Sequence, residues 1–185
     1  MTPDEAVVAL IGALDAAGVP YMIVGSLASN FHGIPRSTRD ADFVLQVSLD
    51  GLQRLAGCLP PELALEQQSA FEAVTGTVRH LIALPGSPFV CELFALSGDP
   101  HDQERFRRRQ RVELLGRITF VATAEDMIIT KLRWAVDAHR AKDRDDIRNM
   151  LAVQGSALDW EYLHHWTNTH GTARLLDEIQ CSIPP

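Results

Sequence analysis

Cysteine is scarce in this chain, which has three cysteines among its 185 residues, at positions 58, 91 and 181. Their number is odd, they lie far apart, and they form no C-x-x-C pair. We therefore expect neither a disulfide framework nor a zinc ribbon. Reduced thiols are typical of the cytosol, so we expect a cytoplasmic protein.

Long apolar runs and an excess of basic charge are also missing. No stretch is long enough to span a bilayer, and Asp4 and Glu5 stand where a secretory signal would be basic. We therefore expect neither a membrane association nor a signal peptide. The net charge of -7 excludes a strongly basic protein that coats nucleic acid, although a local basic patch remains compatible with RNA binding. Neither G-x-x-x-x-G-K-[ST] nor G-x-S-x-G occurs, which excludes a P-loop and an α/β-hydrolase site.

The apolar patterns predict an α+β fold that ends in helices only. Strands are expected at 21–24, 39–47, 78–83, 89–93, 112–115 and 118–121. Helices are expected from Pro3 and after Ser48, near Leu175, and at 27–31, 99–110, 123–138, 143–153 and 159–169. This order predicts a small mixed β-sheet core with flanking helices over residues 1–121. Residues 122–185 are expected to form a helical C-terminal region packed on that core.

Two aspartates on one predicted strand carry the most specific chemical signal. Asp40 and Asp42 alternate along the strand, so both side chains point to one face. Neighbouring carboxylates repel each other, and Mg²⁺ relieves this repulsion while filling its shell with phosphate oxygens. Upstream, Gly25 permits a close backbone approach, and a helix that begins at Ser26 would offer free N–H groups to a phosphate. The pattern predicts a metal ion that bridges protein and polyphosphate.

Glu92 is the candidate third acid. It interrupts an otherwise apolar strand, where a lone buried charge is costly without a partner. Beside Asp40 and Asp42, its carboxylate would act as general base for an attacking hydroxyl or as ligand of a second metal ion. The alternatives are a structural pair between Glu92 and an arginine, and a solvated strand face on which Arg36 and Arg39 balance the aspartates.

The order of these motifs resembles the nucleotidyltransferase superfamily related to DNA polymerase beta. The match consists of a Gly-Ser turn, a strand with Asp-x-Asp and a later acidic residue, which is Glu92 where aspartate is usual. The resemblance implies transfer of a nucleoside monophosphate from a nucleoside triphosphate, such as ATP, to a hydroxyl acceptor. It also implies Mg²⁺ or Mn²⁺, with Asp40, Asp42 and Glu92 as catalytic and metal-binding residues.

Two further stretches are similar to a minimal bacterial branch of this superfamily, which includes the AbiEii-type toxins of toxin–antitoxin pairs. Residues 36–43 read Arg-x-Thr-x-Asp-x-Asp-Phe, and residues 131–134 with 140–147 are similar to a helical basic-acidic motif. This resemblance adds an antitoxin protein as a partner. Phosphate contacts are expected from the residues Gly25, Ser26, Arg36, Thr38, Lys131 and Lys142.

Each of these residues also has a structural interpretation. Gly25 would serve a tight turn, Ser26 a helix cap, and Thr38 a local hydrogen bond, while Lys131 would be solvated. The aspartates at 143, 145 and 146 would favour the start of a helix. The arginines between residues 105 and 111 would contact either RNA phosphates or solvent only.

Two other functions stay open at the level of sequence. A non-catalytic module on the same fold would bind nucleotide, RNA or a partner protein without turnover. A metal-dependent phosphodiesterase would release nucleoside monophosphate to water. For a transferase, the acceptor remains tRNA, a protein hydroxyl or a small molecule such as an aminoglycoside.

Overall fold

The computed structural model describes residues 1–66, 69–72, 76–138 and 141–183, and it confirms the mixed α and β fold. The helices are α1 (Pro3–Ala17), α2 (Gly25–His32), α3 (Leu49–Cys58), α4 (Pro100–Arg108), α5 (Ala124–Ala138), α6 (Ala141–Gln154), α7 (Trp160–Thr169) and α8 (Ala173–Cys181). The strands are β1 (Tyr21–Val24), β2 (Asp40–Leu45), β3 (Ala64–Leu65), β4 (Ala70–Glu72), β5 (Thr77–Ala83), β6 (Val90–Ala95), β7 (Gln110–Leu114) and β8 (Arg117–Val121).

The predicted elements occur in the predicted order, with boundaries that shift by a few residues. The helix expected at 99–110 ends at Arg108, because Gln110 already pairs with Val121 as the first residue of β7. The prediction missed β3 and β4, which are two and three residues long and therefore too short to show a period. Arg140, which belongs to the basic-acidic motif, lies outside the described residues.

The described strands form one mixed sheet in the order β3-β5-β6-β2-β1-β8-β7, and β4 pairs with β5. Strand β1 runs antiparallel to β2 and parallel to β8, and β2 runs parallel to β6. The pairs β5–β6 and β7–β8 are antiparallel. Strands β1, β2 and β6 therefore lie side by side although they come from separate parts of the chain.

The chain divides into two compact units. The sheet unit contains Met1–Leu27 and Ser37–Val121, and the helical unit contains Ala28–Arg36 and Ala122–Pro185. One boundary between the two units falls after Val121. The segment Ala28–Arg36 groups with the later helices, so the first turn of α2 belongs to one unit and its remainder to the other.

The sheet unit has a continuous apolar core. Helix α1 begins with a capping box between Thr2 and Glu5, and it packs beside α3. Its inner face and the central strands bury large side chains that are at most 1% exposed, namely Leu10, Ile11, Leu14, Met22, Ile23, Phe43, Leu45 and Leu93. Burial of one such side chain contributes about 1.5–3 kcal/mol, so this core holds the central strands in register.

In the helical unit, α5 packs against α6 and α7, and α8 packs against α6 and α7. Two hydrogen bonds connect His32, at the end of α2, with the chain just before α5 and with α6. His32 Nε2 lies 2.7 Å from the carbonyl oxygen of Ala122, and Gln154 Nε2 donates to the carbonyl oxygen of His32 at 2.7 Å. Within the described ranges, none of the helices is both long and apolar enough to cross a membrane.

Candidate active site

The register of three strands brings the predicted acids onto one face of the sheet. Asp42 is paired with Val24 of β1 on one side and with Glu92 of β6 on the other. Asp40 precedes Asp42 by two residues and therefore points to the same face. Because paired residues of adjacent strands share a face, Glu92 lies on the side of the aspartates. We call Asp40, Asp42 and Glu92 the acid face.

Gly25 lies against the carboxylate of Asp42. Its φ of 62° is in the left-handed region, which glycine adopts at little cost. A Cβ atom at this position would fall on Oδ2 of Asp42 and lie 2.6 Å from its Cγ. Only glycine therefore lets the backbone at the start of α2 approach Asp42 this closely, and Ser26, which is buried, follows in the first helical turn.

The hydroxyl of Thr38 orients Asp40. Thr38 Oγ1 lies 2.7 Å from Asp40 Oδ1 and 3.2 Å from the carbonyl oxygen of the same residue. Asp40, Asp42 and Glu92 are all half-buried, so their carboxylates remain accessible from solvent. Thr38 thus has the local hydrogen bond of the structural interpretation, but its partner is a residue of the acid face.

An arginine that the sequence analysis did not single out completes this face. Arg79 of β5 donates from Nη1 to Oε1 and Oε2 of Glu92, at 3.2 and 3.3 Å. The side chains of Arg79 and Glu92 are 29% and 21% exposed. In the antiparallel pair β5–β6, Leu81 is opposite Glu92, and Arg79 is two residues away on the same face. The alternation of side chains along residues 77–83 predicts on which face of its strand Arg79 lies. Only the pairing of β5 with β6 shows that Glu92 is its partner.

Cys91 points to the opposite, buried side of the sheet. Burial raises the pKa of its thiol to about 12, and the negative charge of Asp42 adds to this effect. The thiol is therefore protonated at neutral pH, and Cys91 belongs to the core rather than to the acid face.

The helical unit contains a second charged cluster, which we call the ion network. It consists of Arg36, Lys131, Asp143 and Asp146. Lys131 Nζ lies 2.9 Å from Asp143 Oδ1 and 2.8 Å from Asp146 Oδ2. Arg36 holds both oxygens of Asp146, from Nε and Nη2, at 2.8 Å each. Burial acts to raise the pKa of Asp146, but the hydrogen bonds and charges of Arg36 and Lys131 outweigh it and lower that pKa.

The basic residues for which phosphate contacts are predicted differ in exposure and in their present partners. The side chain of Lys131 is 2% exposed, and its ammonium group is held by two carboxylates. Arg36 is paired with Asp146, and Lys142 and Arg39 are exposed. In this conformation, Arg36 and Lys131 form ion pairs with aspartates. Phosphate binding by Arg36, Lys131 and Lys142 stays a prediction.

A third cluster of metal-ligand types, Asp99, His101 and Asp102, has a structural explanation. Their ligand atoms lie within 4.8 Å of one another. Asp99 Oδ1, however, accepts the N–H groups of His101 and Asp102 at 2.9 and 3.1 Å, as the N-cap of α4. Asp102 Oδ1 is 2.8 Å from Nε of Arg105. The cluster therefore caps and closes the first turn of α4.

The arginines proposed for RNA are largely engaged within the sheet unit. Arg105 is buried beside Asp102, and Arg107 Nη2 lies 2.7 Å from Glu104 Oε2. The guanidinium of Arg109 lies 4.3 Å above the ring of Phe106. These contacts favour the structural interpretation of this stretch.

Comparison with known proteins identifies the fold. No protein-family model and no curated protein matches the chain. The solution structure of the antibiotic-resistance factor ANT(2'')-Ia is similar, with a TM-score of 0.63 at 12% identity over 95% of this chain and 94% of that chain. ANT(2'')-Ia in complex with adenylyl-2''-tobramycin gives a TM-score of 0.61 at 14% identity, over 92% and 99%. A nucleotidyltransferase-like protein from Paracoccidioides brasiliensis gives 0.60 at 18% identity, over 98% and 94%.

The described chain therefore has the fold of nucleotidyltransferases. At these identities the likeness concerns the fold, and the site must be argued from this chain's own residues. The assignment to the AbiEii-type branch stays a prediction.

Proposed function

We propose that this chain is a metal-dependent nucleotidyltransferase that transfers a nucleoside monophosphate from a nucleoside triphosphate to a hydroxyl acceptor. One observation carries the proposal: the bare α-carbon of Gly25 lies against the carboxylate of Asp42, on the face that also holds Asp40 and Glu92. A phosphate bound at the start of α2 would therefore lie next to carboxylates, an arrangement that repels anions unless a cation joins them.

The donor set fits a hard divalent cation. Asp40 and Asp42 supply carboxylate oxygens on one half-buried face, and Thr38 already holds one oxygen of Asp40. Mg²⁺ or Mn²⁺ bound by these residues would neutralise phosphate charge and orient the transferred group. As folded, Asp40, Asp42 and Glu92 do not bring three ligand atoms within 4.8 Å of one another, and among the described residues no cysteine or histidine joins them. A bound cation would therefore have to draw these carboxylates closer together.

The chain's own groups supply the remaining steps. N–H groups at the start of α2, around Gly25 and Ser26, would bind the β- and γ-phosphates, as helix N-termini do. The acceptor oxygen would attack the α-phosphorus, pyrophosphate would leave, and Glu92 would take the proton of the acceptor hydroxyl. Most of the rate acceleration would then come from positioning and charge neutralisation.

Among the three candidate acceptors, the small molecule is supported by ANT(2'')-Ia, which is similar in fold and has been crystallised with adenylyl-2''-tobramycin. An antitoxin partner and a cytoplasmic location belong to the same proposal. Their basis is the motif resemblance and the three free cysteines.

One observation favours a second candidate, a nucleotide-binding module without turnover. Both carboxylate oxygens of Glu92 accept hydrogen bonds from Arg79, so in this conformation the third acid is held in an ion pair, as the structural interpretation of Glu92 expects. The two candidates share nucleotide binding and differ in turnover.

The substitution Asp42→Asn tests the proposal. Asparagine keeps the shape beside Gly25 but removes the charge, so Mg²⁺-dependent nucleotide binding should be lost and transfer of labelled nucleoside monophosphate should fall by about 100-fold or more. Titration calorimetry with each nucleoside triphosphate, with and without Mg²⁺, measures the first effect, and a transfer assay measures the second. Asp177→Asn, an exposed position on α8, is the matched control.

Three results would redirect this assignment. Unchanged Mg²⁺-dependent binding in Asp42→Asn would contradict the role of Asp42. Tight binding without turnover on any acceptor would favour the binding module. Release of nucleoside monophosphate to water at the same rate with and without an acceptor would favour the phosphodiesterase.

A further inference from the structure

Arg79 brings a permanent positive charge to the edge of the acid face. Its Nη1 lies 3.2 and 3.3 Å from the two oxygens of Glu92, and Glu92 is the register partner of Asp42. The pair is only partly buried, so water, ions and ligands can reach it. The third carboxylate is therefore already neutralised by the protein itself.

A divalent cation and Arg79 need the same oxygen atoms. A carboxylate has about four lone-pair sites, and a guanidinium that bonds both oxygens leaves fewer of them for a nearby cation. The positive charge of Arg79 also repels the divalent cation, and this repulsion persists at partly exposed sites. Binding of the cation must therefore weaken the Arg79–Glu92 pair, and the pair must weaken binding of the cation.

We infer that Arg79 is the resident counter-ion of the acid face and that a divalent cation competes with it for Glu92. The inference rests on the proposed metal-binding role of the acid face and adds a residue that governs it. Without a cation, Arg79 holds Glu92 and limits repulsion with Asp42. With a cation, Glu92 turns from Arg79 toward the ion and becomes available to the acceptor.

Mn²⁺ alone, titrated into the full chain without nucleotide, tests the inference through the electron paramagnetic resonance signal of free Mn²⁺. Arg79→Gln should bind Mn²⁺ about twofold to fivefold more tightly, the range expected for loss of a partly exposed ion pair. Arg79→Lys keeps the charge on a side chain of different length and donor geometry, so a smaller gain is expected. Thermal unfolding of each variant confirms that the chain is folded.

Two controls separate competition for Glu92 from a change in net charge. Arg107→Gln removes the same charge from an arginine that pairs with Glu104 and is 71% exposed, and it should leave Mn²⁺ affinity unchanged. In a Glu92→Gln background, Arg79→Gln should bring a clearly smaller gain, because the carboxylate for which Arg79 and the ion compete is gone and only their mutual repulsion is relieved.

The results divide as follows. A gain in Arg79→Gln that shrinks in the Glu92→Gln background supports the inference. An unchanged or weaker affinity in Arg79→Gln, an equal gain in Arg107→Gln, or a gain of the same size without Glu92 overturns it. If Asp42→Asn still abolishes Mn²⁺ binding in these cases, the proposed function stands. If Mn²⁺ binding is the same in Asp42→Asn and the wild type, both fail.

Discussion

The acid face and the ion network use the same residue types in opposite surroundings. In the ion network, two carboxylates meet two cationic groups, and Lys131 and Asp143 are 2% and 1% exposed. In the acid face, three carboxylates share one face with Arg79, and the Arg79–Glu92 pair stays partly exposed.

This difference in burial and charge is the reason that we propose the acid face, and not the ion network, as a binding site. A buried network must balance its charges, because an uncompensated buried charge is costly. An accessible face can keep an excess of negative charge, because water screens part of the repulsion and a cation can complete the balance. The ion network therefore balances its own charges as folded, whereas the acid face keeps an excess of negative charge, which is why we propose it as the site of a divalent ion.

The largest expected effect is on stability, from Lys131→Met. This change leaves Asp143 and Asp146 buried without the ammonium group between them, so the free energy of unfolding should fall by about 3–5 kcal/mol. Urea unfolding followed by circular dichroism measures the loss. Lys142→Met is the matched control on an exposed site and should change stability by less than about 0.5 kcal/mol. Equal losses in the two variants would contradict the structural role of Lys131.

A smaller effect is expected from Gly25→Ala. The left-handed backbone costs an alanine about 1–2 kcal/mol, and the added Cβ would also displace the carboxylate of Asp42. Gly18→Ala has almost the same φ, 63°, but its Cβ would meet nothing within 4 Å. We therefore expect both variants to lose stability in thermal unfolding and only Gly25→Ala to lose nucleotide binding in calorimetry. Retained binding in Gly25→Ala would contradict the close approach.

The smallest expected effect is a pH dependence of the ion network. Because the folded-state pKa of Asp146 is lowered, its contribution is complete above the unfolded pKa of about 3.9 and is lost as the pH falls from there through the folded value. Urea midpoints measured between pH 6 and pH 2.5 should fall steeply below about pH 4 in the wild type and less steeply in Asp146→Asn. Asp177→Asn, on an exposed site, should follow the wild type. Parallel curves for all three proteins would refute the assignment.

Much of the fold was predictable from local patterns. The helices and long strands follow from apolar spacing and from turn residues that lie within a few positions of each other. Strands β3 and β4 were missed because they are held by pairing with β5 rather than by their own pattern. The strand order was beyond reach, because it depends on pairing between distant segments.

In the candidate site too, local patterns predicted some side-chain positions, and contacts between distant segments decided the others. The common face of Asp40 and Asp42 follows from alternation over two residues, and the cost of a lone charge in an apolar strand pointed to Glu92. Arg79 gave no such signal, and Lys131 resembled an ordinary solvated lysine. The catalytic and metal-binding roles of Asp40, Asp42 and Glu92 remain predictions for the experiments above.

The amino-acid order alone settled which side chains alternate along β2 and where the chain turns, because covalent geometry dictates both over a few bonds. Tertiary structure decided which charges meet: it paired Glu92 with Arg79 and enclosed Lys131 between Asp143 and Asp146. The physical reason is that the strength of an ion pair depends on its partner and its exposure to water, and both are set by segments far apart in the chain.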